Sequence, residues 1–297
     1  MTILRVESLI FGVEDLDAGT RYFEDWGLAR TSSEANGADF ALPSGQTILL
    51  RSSKDASLPA APDRSPTLRE TIWGVSDAAA LQRVGAELGR DRDVKSDAGG
   101  LHARDEAGFA IGFRVAAPAP QSSSTAAPRM NHPFDPERRA RPSRLGHVVF
   151  NAAQKDFEKQ LAFYLERLKF RLSDRALDTG AFLRAQGSND HHSLFFATRA
   201  DRNSFNHAAF EVKNIDEIVL GGKYMKSRGW KPNTPLGRHI LGSNVFWYFD
   251  SPCGGRTEYY SDMDQMNDDW KPRIWEKNPG FAMWMIDPDE VPAVRLG

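Results

Sequence analysis

The chain has 297 residues, room for two modules at about 100–200 residues each, and its 26% charged and 40% hydrophobic content with 18 Phe and 7 Trp is that of a packed globular protein. Lys plus Arg number 38 against 40 Asp plus Glu, a net charge of -2 that argues against nucleic acid and anionic membranes as partners. The single cysteine, Cys253, forbids an internal disulfide; no apolar run reaches the roughly 18 residues of a membrane span; and charges interrupt the first residues where a signal peptide would be apolar, so a cytoplasmic location is expected.

In chain order, Arg5 to Phe11 reads as a β-segment, and Leu16, Thr20 and Phe23 open a helix behind it. Phe40 to Leu42 and Thr47 to Leu50 add strands. Glu70 to Val75 followed by Asp77 starts a second strand and helix, ending near Gly89. From 116 to 142 a Pro/Ala/Ser stretch passes into Arg-rich sequence, predicted to be a linker docking across the domains. After it the pattern restarts. Arg144 to Phe150 matches Arg5 to Phe11 at constant offset, and Phe157, Leu161, Tyr164 and Leu168 form the apolar stripe of a helix. Ala181 to Arg184, Ser193 to Ala197, His207 to Val212, a helix ending near Gly229 and Val245 to Phe249 complete the repeat.

The expected fold is α+β, with four βαβββ modules paired into two domains, each a sheet curled into a half-open barrel. The expected domains are 1–115, without metal ligands; the linker 116–142; 143–262, catalytic; and an aromatic tail 263–297. Trp270, Trp275, Phe281 and Trp284 predict that the tail folds back over the catalytic domain and walls its pocket, or packs on a partner subunit.

The halves differ where chemistry is concerned. His147 falls opposite Ser8, His207 opposite Glu70, and Glu258 opposite Ile111. Two imidazoles and a carboxylate are the facial ligand set that holds iron(II) and leaves positions open. Singly, each has a structural explanation: a hydrogen-bonded core histidine, or a charge at a sheet edge. Jointly, equivalent ends of strands in a half-barrel point them into one cavity. Cys253 lacks a visible activating base, Asp250 suits a turn, and His102 and His132 fall in no motif.

Leu145-Gly146-His147, Asn206-His207-Ala208-Ala209-Phe210, and Tyr248-Phe249-Asp250-Ser251-Pro252 through Gly254, Gly255 and Glu258 resemble the ligand-bearing motifs of the type I extradiol ring-cleaving dioxygenases of the vicinal oxygen chelate superfamily. The resemblance spans both halves and is specific in the second. It implies a catechol 2,3-dioxygenase-like enzyme of aromatic catabolism, with Fe(II), or Mn(II) with the same donors, held by His147, His207 and Glu258. The partners it implies are a catechol-type substrate and dioxygen, with a homo-oligomer as an open option. His191-His192 and Gly237-Arg238-His239 match the family's further motifs. By that resemblance His192 faces the dioxygen position as acid and base, Tyr248 donates to the substrate's deprotonated oxygen, and His239 orients the same end of the ring. Strand alternation puts His191 outward and hydrogen-bonded. For Tyr248 and His239 the alternative is polar tips capping an aromatic layer. The fold also serves glyoxalase-like isomerases or lyases using zinc or nickel, and non-catalytic proteins that bind aromatics.

Overall fold

The computed structural model describes residues 2–34, 36–118 and 139–289. Most of the expected linker, His132 and the last eight residues of the tail lie outside them. The first half runs β1 (Ile3–Val13), α1 (Leu16–Asp25), β2 (Ala29–Glu34), β3 (Gly37–Ala41), β4 (Thr47–Ser52), then β5 (Thr67–Val75), α2 (Ala78–Leu88), β6 (Lys95–Asp97), β7 (Gly100–Arg104), β8 (Ala110–Val115). The second runs β9 (Arg144–Ala153), α3 (Gln154–Ala162), β10 (Arg171–Ala176), β11 (Gly180–Arg184), β12 (Leu194–Arg199), then β13 (Ser204–Glu211), α4 (Ile215–Ser227), β14 (Leu236–His239), β15 (Val245–Asp250), β16 (Arg256–Ser261). These are four βαβββ modules in an α+β protein.

Each half forms one mixed sheet. Its centre is β4-β1-β5-β8 in the first and β12-β9-β13-β16 in the second, the same arrangement twice. Side-chain caps start three helices: Asp15, Asp77 and Asn214 accept from Ala18, Ala80 and Glu217 backbone N–H groups, the donors a helix start leaves unpaired. The stripe Phe157, Leu161, Tyr164, Leu168 is buried as its periodicity predicts. The turn after α3, Phe163–Arg167, is π-helical, and both Phe163 and Tyr164 turn inward there.

The halves share one core. Trp26 stacks on Tyr259 with ring centroids 3.5 Å apart, and the Tyr259 hydroxyl donates to the Trp26 carbonyl. Gln46, buried on the turn before β4, donates to the carbonyls of Val6 and Leu145 and accepts from Leu145 N–H, tying the first strands of the two halves together. Ala140, at the described end of the expected linker, is buried against Gly27, and Arg139 donates to the Glu24 carbonyl. The tail adds β17 (Arg273–Trp275) beside β10 and β18 (Ala282–Ile286) beside β14, the two outer strands of the second sheet. Among the described residues no helix is long and apolar enough to cross a membrane.

Candidate metal centre

Sheet register explains how three separated residues meet. His147 on β9 pairs with Ala209 on β13, and Ala209 pairs with Glu258 on β16. His207 lies two residues before Ala209 and so projects from the same face. Ala209, a methyl group between the two outer ligands, leaves the space above it open. Each histidine directly follows a β-bulge: Gly146 is the extra residue between the pairs Phe210–Leu145 and Ala209–His147, and Asn206 the extra residue between Phe205–Phe150 and His207–Val149. Bulges re-aim side chains beside active sites. The repeat alignment needs one correction. Ile72, the first half's counterpart of Ala209, pairs with Gly112, so Gly112 and not Ile111 stands opposite Glu258.

One ligand atom from each of His147, His207 and Glu258 falls within 4.8 Å of the others, and all three residues are buried. Glu258 Oε2 lies 3.1 Å from His147 Nε2 and 3.2 Å from His207 Nε2. Cis donors each about 2.1 Å from one divalent ion would sit about 3.0 Å apart. The residues fit a metal on further grounds. Asn206 Oδ1 accepts from His207 Nδ1, which turns the Nε2 lone pair toward the cluster, where Nε2 has no hydrogen-bond partner. Asn244 holds Glu258 Oε1 from behind and leaves Oε2 facing the imidazoles. Burial alone would raise the Glu258 carboxyl, but His147 and His207 outweigh it and hold it well below the usual range, ionised as a ligand must be. Burial lowers His207 to about 4, the neutral ligand form.

The centre opens on a cavity of about 180 Å³ whose lining includes Val149, Phe182, Phe195, Leu241, Tyr248 and Phe281. His192 also lines it, its ring 4.1 Å from that of His147. His191 stays out of the cavity lining and is hydrogen-bonded, as expected, but it faces the protein interior and is fully buried. Its Nε2 lies 2.8 Å from Asp174 and its Nδ1 3.1 Å from His192 Nδ1. Burial would raise the Asp174 carboxyl, but His191, Arg273 and Trp275 all donate to it and bring it to about 2. Asp174 accepts from His191 Nε2–H, and one proton lies between the facing Nδ1 atoms of His191 and His192. Burial and then His147 hold His192 well below the usual imidazole range.

His239 Nδ1 donates to the Phe281 carbonyl at 2.9 Å, and its Nε2 lies 3.0 Å from the Tyr248 hydroxyl. Burial lowers His239, keeping the ring neutral, so Tyr248 donates to it. The donation from Tyr248 to a substrate oxygen expected from the motif therefore requires its hydroxyl to turn away from His239. The Phe281 carbonyl was not visible in the sequence as part of the site, because a backbone oxygen carries no residue signature. Cys253 is buried and its thiol is pushed up to about 12, so it is inert, and Asp250 accepts from Asn233 at a turn.

Residues 144–259 match the family model described as Glyoxalase/Bleomycin resistance protein/Dioxygenase superfamily. Metapyrocatechase 2 from Cupriavidus necator is 37% identical over 127 residues, 43% of this chain and 39% of that protein. An iron-dependent extradiol dioxygenase from Rhodococcus jostii is 32% identical over 156 residues, 48% of this chain and 50% of that protein. The matches thus span half or less of those two relatives. The Mn(II)-bound glyoxalase from Novosphingobium aromaticivorans superposes with a TM-score of 0.74 over 99% of this chain and 95% of its own at 21% identity, a likeness of fold through both halves. The matched segment contains all three members of the cluster.

Proposed function

We propose that the chain is an extradiol dioxygenase that opens the ring of a catechol-type aromatic with dioxygen, using Fe(II) held by His147, His207 and Glu258, with Mn(II) as an alternative occupant. The carrying observation is the buried cluster of two imidazoles and an ionised carboxylate, whose imidazoles line an aromatic-walled cavity. Similarity to a metapyrocatechase and to an iron-dependent extradiol dioxygenase supports it. When bound, the metal supplies Lewis acidity that eases loss of a catechol proton near neutral pH and open positions for both reactants.

The chain's own residues do the rest. His192, which lines the cavity, takes and returns a proton at Nε2 while the Asp174–His191 pair holds its Nδ1. The Tyr248–His239 pair holds one hydroxyl proton at the opposite wall, oriented by the Phe281 carbonyl. Val149, Phe182, Phe195 and Phe281 sandwich the ring and exclude water. In this reading residues 1–115 are scaffold, 143–262 carry the chemistry and the tail from 263 closes the cavity. A reducing cytoplasm suits the one thiol. Exposed Met283 and Met285 on β18 suit contact with a second copy.

The test is anaerobic reconstitution with iron(II), then oxygen uptake and formation of a yellow ring-opened product across substituted catechols. Turnover of an α-oxoaldehyde adduct without oxygen, and none of any catechol, would assign the chain to the isomerases and lyases of this fold instead. Tight aromatic binding unchanged by chelation would assign it to the non-catalytic binders.

A further inference from the structure

Beside the aromatic cavity lies a second one of about 280 Å³, and the two share Arg199, Asn206 and Arg256. Arg202, Asn151 and Asn233 complete its polar wall. Strand register places it. Arg256 precedes Glu258 by two residues and pairs with His207, so it projects from the ligand face about 6.8 Å along β16. On β9, Asn151 continues the row of His147 and Val149 in the same direction; on β12, Arg199 continues the row of Phe195 and Ala197. The ligand-bearing face of the sheet thus changes from aromatic to cationic within a few residues of the metal centre.

These arginines are set apart by what they lack. Arg144 meets Asp190 and Glu211, Arg167 meets Glu87 and Asp91, and Arg273 meets Asp174. Among the described residues, Arg199, Arg202 and Arg256 pair with no carboxylate, and no Asp or Glu lines either cavity. Arg199 donates to the neighbouring Thr198 carbonyl, while Arg256 donates to Asn233 Oδ1 and Asn206 Oδ1. Burial and then the charges of Arg202 and Arg256 lower Arg199, the direction expected of cations gathered without a counter-ion.

We infer that this vestibule receives an anionic substituent, a carboxylate on a short side chain of the catechol, so that the substrates are aromatic acids and not neutral catechols. The inference rests on the proposed ring-cleaving site, since it supplies the other end of the same substrate. Guanidinium forks match a carboxylate in geometry as well as charge. The anion would reach Arg199 and Arg202 while the ring lies between Phe182, Phe195 and Phe281.

The test compares 3,4-dihydroxyphenylpropionate with its methyl ester. Anaerobic calorimetry on the iron(II)-loaded full chain measures binding, and oxygen uptake measures turnover separately. The acid is expected to bind at least about tenfold more tightly than the ester, as one charge-assisted contact would give, with that advantage shrinking as salt is raised. In Arg199→Gln/Arg202→Gln the ratio should fall toward one, and in Arg199→Lys/Arg202→Lys much of it should return. Ester binding by each variant reports whether the cavity is still formed, and the salt dependence of the unmodified chain needs no variant. Equal binding of acid and ester, or an acid preference untouched by the double substitution, would overturn the inference. So would inorganic phosphate binding as tightly as the acid, which would make this a site for free anions. Preferential binding of the acid without oxygen uptake would sink the dioxygenase reading and sustain this one; oxygen uptake with no preference would do the reverse.

Discussion

Gly146→Ala is the smallest change that should damage the centre without touching a ligand. A Cβ built at Gly146 would lie 1.9 Å from the Tyr260 hydroxyl oxygen and 2.5 and 2.6 Å from two of its ring atoms. That is roughly 1.5 Å short of ordinary contact at the nearest atom. Tyr260 has no room to withdraw: it is fully buried, packed with Ala209 and Met263, and 5.2 Å from the His147 ring. Overpacking of this kind costs about 1–3 kcal/mol, and part of the strain must reach the next residue, His147. A displacement of order 1 Å is large against the 3.1 Å separation of His147 Nε2 and Glu258 Oε2. Disturbing the groups around a ligand typically lowers metal affinity about 10- to 100-fold. Urea unfolding of metal-free protein and anaerobic iron(II) titration read the two effects separately. Tyr260→Phe removes the closest of the clashing atoms, so the double variant should recover part of both losses, a coupling that a double-mutant cycle exposes. Native stability together with native metal affinity in Gly146→Ala would refute this account of the Leu-Gly-His motif.

Four further outcomes are expected. His147→Ala should abolish retention of iron(II) through gel filtration, because two remaining ligands do not hold a facial site; full retention would remove His147 from the ligand set. His192→Phe should keep the metal and lose oxygen uptake, and equal turnover would cancel its acid-base role. Asp174→Asn should lower turnover and alter its pH profile while leaving iron content unchanged, since it acts through His191; an unchanged profile would reduce Asp174 to a structural partner of Arg273. His102, half-buried against Glu70 at 2.8 Å and Asp97 at 3.2 Å, is raised to about 9, with the Glu70 hydrogen bond the largest cause. A raised pKa means stability fully present below about pH 6.5 and lost as pH climbs through 9, on the order of 1 kcal/mol after solvent screening. Urea midpoints of the native chain and His102→Gln should therefore differ at pH 6 and converge by pH 10; a difference independent of pH would contradict the ion pair.

The modules and the order of their elements along the chain were legible because the same apolar pattern occurs twice, and repetition separates signal from accident. The ligands were legible as departures from that repetition. What escaped was set by register and backbone. Sequence alignment placed Ile111 opposite Glu258, while β8 pairs so that Gly112 stands there. A slip of one residue matters little to alignment and reverses the facing side chain in a sheet. Alternation sent His191 away from the cavity but not into a buried site: it sits in the bend before β12, bonded to Asp174 of β10, which also accepts from Arg273 and Trp275 of β17. The part played by Phe281 rests on a carbonyl, and that of Gln46 on a contact between halves; neither has a local pattern to read.

The first half shows why, among the described residues, the centre exists only once. Its bulges recur at the equivalent places, with Glu7 where Gly146 stands and Arg69 where Asn206 stands. The backbone is therefore ready to aim side chains inward from both halves, and composition decides the outcome. Position 8 carries Ser, bonded to Thr47; position 112 has no side chain; and Glu70 turns its carboxylate to His102, which pairs with Gly112 as Tyr248 pairs with Glu258. A Cβ at Gly112 would fall 2.3 Å from Ile72 Cδ1, with Glu70 Oε1 and His102 Nδ1 only 3.2 and 3.3 Å away. Where the second half keeps Ala209, the first has the larger Ile72, and an ion pair fills the space a metal would need. Restoring a ligand there requires at least Gly112→Glu with Ile72→Ala, and Gly112→Glu alone should destabilise the fold without gaining metal. Iron(II) bound by that single variant at two ions per chain would show that side-chain volume is not what confines the chemistry to the second half.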